Sequence, residues 1–190
     1  MIAIVTGTPG AGKTSIVEKI IQNGGNYTVV SAGTEMLNVA KKEGLVQDRD
    51  ELRKLSAADI KRLRLAAFKN INEMAGNIII DTHASVKSGA RYVLGFTIEE
   101  LDALKNLSAF VYIDATAHEI LLRRATDNSR NRDIETMDEI DQQREINISL
   151  ISAYAAHKSV PIYMIRNEQG KLNDAIEKAK VSFGDIFNVA

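Results

Sequence analysis

The chain has no cysteine among its 190 residues. That excludes a disulfide framework and a thiolate zinc site, and it is the usage expected in a reducing compartment. Proline is scarce, with only Pro9 and Pro161, and no Pro/Gly/Ser-rich run marks a linker. There is no internal repeat and no low-complexity tract. No apolar stretch reaches the roughly 18 residues of a membrane helix. The N-terminus runs directly into a strand-like segment without a basic n-region or extended apolar core, so no signal peptide is expected. An excess of charge of one sign is also missing: 24 Lys+Arg stand against 25 Asp+Glu, a formal charge of −1. Bulk charge therefore gives no reason to expect a nucleic-acid or membrane partner, and any anion binding must come from local placement. A cytoplasmic protein of one domain, spanning 1–190, is the expectation. Its length and its 45% apolar content allow a sizeable core.

What is present is an alternation of short apolar runs and longer helical patterns. The runs are IAIV (2–5), YTVVSA (27–32), NIIID (77–81), AFVYID (109–114) and VPIYMI (160–165). Each is apolar almost throughout, as parallel strands covered on both faces are. Between them, Ser56 and Asp59 form a capping-box-like start, followed by Ile60, Leu63, Ala67, Ile71 and Met74 at steps of three and four. A closing helix is expected from about Leu172 to Phe187. Five strands with intervening helices give an α/β domain in three layers, with a mainly parallel five-stranded sheet and helices on both faces.

The first strand leads into GTPGAGKTS, residues 7–15, which fits G-x-x-x-x-G-K-[ST] through Gly7, Gly12, Lys13 and Thr14. A strand precedes it and the helical pattern KTSIVEKIIQNG follows, the setting of a P-loop. A phosphate chain needs many donors in a small concavity. Gly7, Gly10 and Gly12 let backbone N–H groups point inward, Pro9 stiffens the loop, and the helix N-terminus adds donors and a positive dipole end. Lys13 can bridge β- and γ-phosphates, and Thr14 offers a hydroxyl to Mg2+. The alternative, a glycine-rich turn that happens to carry lysine, does not account for the complete pattern in its strand–loop–helix context.

A P-loop alone does not separate hydrolysis, switching and transfer. The fifth strand leads to IRNEQG, where Asn167 is followed by Glu168, so the guanine-reading N-K-x-D of a GTPase is missing. The third strand ends IIIDTH: Asp81 stands at the Walker-B position and can reach Mg2+ through water, but no carboxylate follows to polarise an attacking water. That combination favours transfer over hydrolysis. Transfer also needs positive charge spread over the moving group and exclusion of water. Arg123, Arg124, Arg130, Arg132 and Arg144 are suited to this, with no lysine between Lys105 and Lys158. Guanidinium is the preferred group for multidentate phosphate contact. The polar stretch RRATDNSRNRDIE reads as a short arginine-rich lid, or as a solvated face paired with Asp127, Asp133 and Glu135.

The acceptor side is expected between the second and third strands. Ser31, Gly33 and Thr34 lie at a strand's carboxyl end, where ligands sit in open α/β sheets. Arg49 and Arg53, four apart, share a face if the stretch is helical and can clamp one phosphate. Arg49 can equally pair with Asp48 or Asp50, and His83 can be a hydrogen-bonded loop histidine; Lys87 and Arg91 read as surface residues.

The stretches GTPGAGKTS, VVSAGTEM, LVQDRDELRKL, IIIDTHASVKS and RRATDNSRNRD occur in the order seen in archaeal-type adenylate kinases, and the chain resembles that short-lid family over nearly its whole length. The resemblance implies ATP + AMP ⇌ 2 ADP with Mg2+. It implies that Gly7, Thr8, Pro9, Gly10, Ala11, Gly12, Lys13, Thr14 and Ser15 hold the donor phosphates. It places Ser31, Gly33, Thr34 and Arg53 in the AMP pocket, within an acceptor segment of about 31–75, and Thr82 and His83 at its edge. Arg124, Arg130 and Arg132 become lid arginines, in a lid of about 124–138, acting with Lys13 in catalysis; a homotrimer is implied as well. Two departures stand out. Relatives usually show a GYLPGLP-like loop after D-T-H, whereas this chain reads ARYVLGFTIEEL without proline, beside the acceptor site, where it bears on base selectivity. The helical stretch INISLISAYAAH lacks an arginine some relatives carry, leaving Arg144 as its replacement or one donor-phosphate contact missing. The competing readings are a small P-loop kinase for CMP, another monophosphate or a small metabolite, and an ATP-binding regulatory protein without transfer.

Overall fold

The computed structural model describes residues 1–22, 26–52, 54–126 and 135–188. The elements run β1 (Ile2–Gly7), α1 (Lys13–Gln22), β2 (Thr28–Ser31), α2 (Ala32–Lys42), α3 (Arg49–Leu52), α4 (Ala57–Asn72), β3 (Ile78–Asp81), β4 (Ser85–Ser88), β5 (Arg91–Leu94), α5 (Ile98–Ala103), β6 (Leu107–Asp114), α6 (Ala117–Thr126), α7 (Met137–Lys158), β7 (Ile162–Arg166) and α8 (Leu172–Asn188). Five strands form one sheet in the order β2-β3-β1-β6-β7, every pairing parallel. Central β1 pairs with β3 on one side, Val5 opposite Asp81, and with β6 on the other. The chain leaves β1 in one direction and returns to its other flank with β6, so the crevice for a ligand opens at the carboxyl ends of these three strands.

Alternation along the strands builds two cores. Ala3 and Val5 join Ile16, Val111, Ile165 and Phe183 under α1 and α8. Ile2 and Ile4 face the other way, with Ile78, Ile80, Phe110, Tyr112 and Ile151. β1 is buried at every position, whereas edge strand β2 begins with exposed Thr28 and Met164 of β7 is 54% exposed. The expectation of strands covered on both faces therefore holds at the sheet centre and fails at its edges, where one flank has no neighbour. A smaller cluster of Ala40, Val46, Leu52 and Leu63 ties α2, α3 and α4 together over the second strand's carboxyl end.

The capping expectation for α4 is met: Ser56 Oγ accepts the Asp59 N–H at 3.1 Å, and Leu63, Ala67, Phe68 and Ile71 are buried. One feature departs from the sequence reading. The stretch at 88–97 that stands in place of the relatives' loop is in part strand: residues 85–94 form an antiparallel hairpin in which Ser88 pairs with Arg91 across Gly89 and Ala90. Among the described residues no helix is long and apolar enough to cross a membrane. Arg53, Arg130 and Arg132, and most of the expected lid, lie outside the described residues.

Candidate active site

The P-loop links the buried end of β1 to α1, which begins at Lys13. Gly12 has φ +92°, and a Cβ there would collide with the Asn167 amide, so glycine is required twice over. Asn167 is buried; its Nδ2 donates to the Ala11 carbonyl at 2.8 Å. Arg123 donates to the same carbonyl at 3.2 Å and to the Asn167 carbonyl at 2.7 Å. Arg124 donates to the Pro9 carbonyl through Nε at 3.0 Å and Nη2 at 2.6 Å, and Nη1 pairs with Glu135. Loop carbonyls are thus held by side chains, while the N–H groups of the first turn of α1, where Thr14 and Ser15 are exposed, have no intrahelical partner and are the donors open to an anion.

Lys13 is buried and forms an ion pair with Asp81, the residue at the end of neighbouring β3. Both border a cavity of about 290 Å³ that is also lined by Ser31, Gly33, Arg49, Thr82 and His83. The structure brings these expected acceptor residues together. Thr34 stands directly behind: its Oγ1 accepts from Arg49 Nη2 at 3.1 Å, and its N–H donates to Ser31 Oγ at 3.4 Å, capping α2. Arg49 therefore turns to Thr34 rather than to its acidic sequence neighbours. The other walls come from α2, α4 and the hairpin and are largely apolar: Met36, Ile60, Val86 and Leu94, with Arg64 and Gly95. Gly95 is obligatory, because a Cβ there would collide with the His83 carbonyl.

Some side chains do something other than the sequence suggests. Arg144 does not replace a phosphate contact: Nε and Nη2 each donate at 3.0 Å to the two oxygens of Asp114, and Nη1 pairs with Asp141. Donating to the Asp114 carboxylate raises the Arg144 pKa further, and the guanidinium pins α7 to the end of β6. Lys87 is not a free surface residue; it is half-buried and donates to Glu139 at 2.5 Å. Arg124 rests on the P-loop backbone, so its role over a phosphate is not what this arrangement displays. Sequence reasoning missed a buried polar chain altogether. Tyr112 OH and Thr8 Oγ1 lie 3.2 Å apart, Asn147 Nδ2 donates to Thr8 Oγ1 at 3.2 Å, and Ser85 Oγ donates to Asn147 Oδ1 at 2.6 Å. Burial raises the Tyr112 pKa, keeping the hydroxyl protonated. The signal for this network was the pair Gln143 and Asn147, polar positions on the helical stripe of Ile140, Ile151 and Tyr154.

Known proteins resemble this chain to different degrees. Residues 6–141 match a family model described as an AAA domain. Two shikimate kinases of known structure, from Bacteroides thetaiotaomicron and Aquifex aeolicus, superpose with TM-scores of 0.63 and 0.57. They are only 14% and 18% identical, cover 96% and 100% of this chain, and match over 97% and 100% of their own lengths. They support the fold alone. The adenylate kinase of Methanococcus aeolicus is 35% identical, the match covering 93% of this chain and 94% of that protein; that of Pyrococcus furiosus is 38% identical over 93% and 92%. With likeness of that extent added to a complete P-loop, a strand-end Asp81 and a cavity bordered by Lys13, the chain belongs to the adenylate kinase family.

Proposed function

We propose that the chain transfers the γ-phosphoryl group of ATP to AMP, reversibly, giving two ADP, and that it does so as a single nucleoside monophosphate kinase domain. The observation that carries this reading is Lys13, which belongs to the P-loop and also lines the cavity reached from β2 and β3. A donor held by the loop and an acceptor held in the cavity would then meet at one ammonium group.

The chemistry asks little covalent work of the protein. An oxygen of the AMP phosphate attacks the γ-phosphorus in line, and the bond to the β–γ bridging oxygen breaks. Because a phosphate monoester is largely ionised at neutral pH, no general base is needed. The protein's part is alignment and charge: α1 N–H groups and Lys13 on the donor phosphates, Arg49 with Ser31, Gly33 and Thr34 on the acceptor phosphate. Thr82 and His83 line the same cavity. Arg130 and Arg132 serve as the lid cations, joined by Arg124 once it leaves the Pro9 carbonyl and Glu135 for the phosphates, and Arg53 serves as a second acceptor clamp.

Thr14 and Asp81 fit Mg2+: both are hard oxygen donors, one exposed at the first turn of α1 and the other at the cavity wall. So small a donor set is usual where substrate phosphates and water complete the shell. When bound, Mg2+ would neutralise charge on the β- and γ-oxygens.

The test is Lys13→Ala. We expect kcat to fall by about two orders of magnitude or more, the scale of losing a preorganised charge on the transition state, while the melting temperature stays close to wild type. Undiminished turnover in a folded variant would remove Lys13 from the mechanism.

A further inference from the structure

Arg64 was not anticipated at the acceptor site, yet it lines the same cavity as Lys13 and Arg49. It lies on α4, one turn beyond Ile60. Its Nε donates to Glu100 Oε1 at 2.6 Å and its Nη1 to the Leu94 carbonyl at 3.1 Å. Glu100 is 1% exposed, and its other oxygen accepts the Thr97 N–H at 2.6 Å. The counter-ion is therefore fixed at both oxygens, and the guanidinium plane is fixed by bonds from two of its nitrogens.

A guanidinium carries five N–H donors and no acceptor. Two are used here, and among the described residues no other group takes the rest. The side chain is 19% exposed. Around it the wall is Met36, Ile60, Val86 and Leu94, a surface suited to the faces of a flat ring. The strand-end side of the cavity already has the phosphate-binding groups. A rigid, donor-only fork among apolar side chains on the α4 side is matched by a ring edge that carries acceptors.

We propose that Arg64 contacts the nucleobase of the acceptor, donating to acceptor atoms on a purine edge, and that the pocket therefore takes 6-oxopurine monophosphates as well as AMP. The proposal rests on the acceptor reading of the cavity given above. Adenine offers this fork ring nitrogens only, and its amino group, a donor, gains nothing from it. A 6-oxopurine offers O6 and N7 side by side, the pair that one guanidinium reads with two hydrogen bonds.

The experiment is equilibrium binding by calorimetry of AMP, inosine monophosphate and ribose 5-phosphate, which has the sugar and phosphate but no base. The proteins are wild type, Arg64→Met and Arg64→Lys. In Arg64→Met we expect AMP and inosine monophosphate to weaken about tenfold or more, the size of one charge-assisted hydrogen bond, and ribose 5-phosphate to change less than about twofold. Arg64→Lys keeps a charge beside Glu100 and preserves folding, and is expected to show the same base-dependent loss. Wild type should bind inosine monophosphate within about tenfold of AMP. Equal losses for ligands with and without a base would make Arg64 a structural residue and overturn the proposal. So would unchanged AMP affinity in either variant, or rejection of inosine monophosphate by wild type. Failure of the transfer reading is separable: it would show as base-dependent binding through Arg64 without ADP formation from ATP and AMP.

Discussion

At the scale of single residues, the site combines contiguous and distant contributions, and they differ in legibility. The P-loop residues could be read directly, because nine consecutive positions have the glycines, lysine and hydroxyls that phosphate binding needs. Arg49 was also visible, although its partner Thr34 was not. With one guanidinium nitrogen held by Thr34 and the cavity beside it, Arg49→Ala should raise KM for AMP by about ten- to a hundredfold, the range for one lost charged hydrogen bond. KM for ATP should change much less; steady-state kinetics with each substrate varied in turn checks this, and equal effects on both would take Arg49 out of the acceptor site. Arg123 and Asn167 could not be recognised as braces of the loop. They lie 112 and 156 positions from Ala11, and neither belongs to a contiguous motif. Their function exists only once β6 and β7 are laid beside β1.

At the scale of elements, the central strands and the longer helices were legible because burial on both faces and capping leave strong local patterns. The β4–β5 hairpin was not. SVKS and RYVL are too short and too mixed to show period-two alternation, and the stretch sits where a loop was expected. Yet the hairpin supplies Val86 and Leu94 to the cavity, and Lys87 to α7. Two helix starts carry a pH dependence. At α7, the hydrogen bond from Lys87 and the Thr136 N–H hold Glu139 down to about 2 from the ordinary 4.5. At α6, burial would raise Glu119, but the Thr116 N–H and hydroxyl, the Gln169 N–H and Arg123 override it and hold its pKa to about 2. Lowered carboxylates contribute stability that is fully present above the unfolded value and lost as pH falls through the folded one. The melting temperature should therefore fall between about pH 4.5 and pH 2. Glu139→Gln should lower stability at neutral pH and flatten that acid limb; an unaltered limb would show that these caps are not linked to folding.

At the scale of the whole molecule, the sheet order brings the P-loop at the end of β1 next to the cavity at the ends of β2 and β3 that we propose holds the acceptor. The P-loop leaves β1, the acceptor residues leave β2 and β3, and the two groups meet at Lys13 and Asp81. The buried chain from Thr8 through Asn147 to Ser85 adds a second link, from the donor loop through α7 to the acceptor-side hairpin. Such a network is satisfied only when P-loop, helix and hairpin hold a single register. That is the arrangement transfer between two bound nucleotides requires. The most direct test of that transfer is ADP formation from ATP and Mg2+ with AMP, CMP, UMP, GMP or no acceptor. We expect strong turnover with AMP, little with the pyrimidine monophosphates and none without an acceptor. ADP formation that is the same with and without AMP, or absent with AMP, would contradict transfer to AMP.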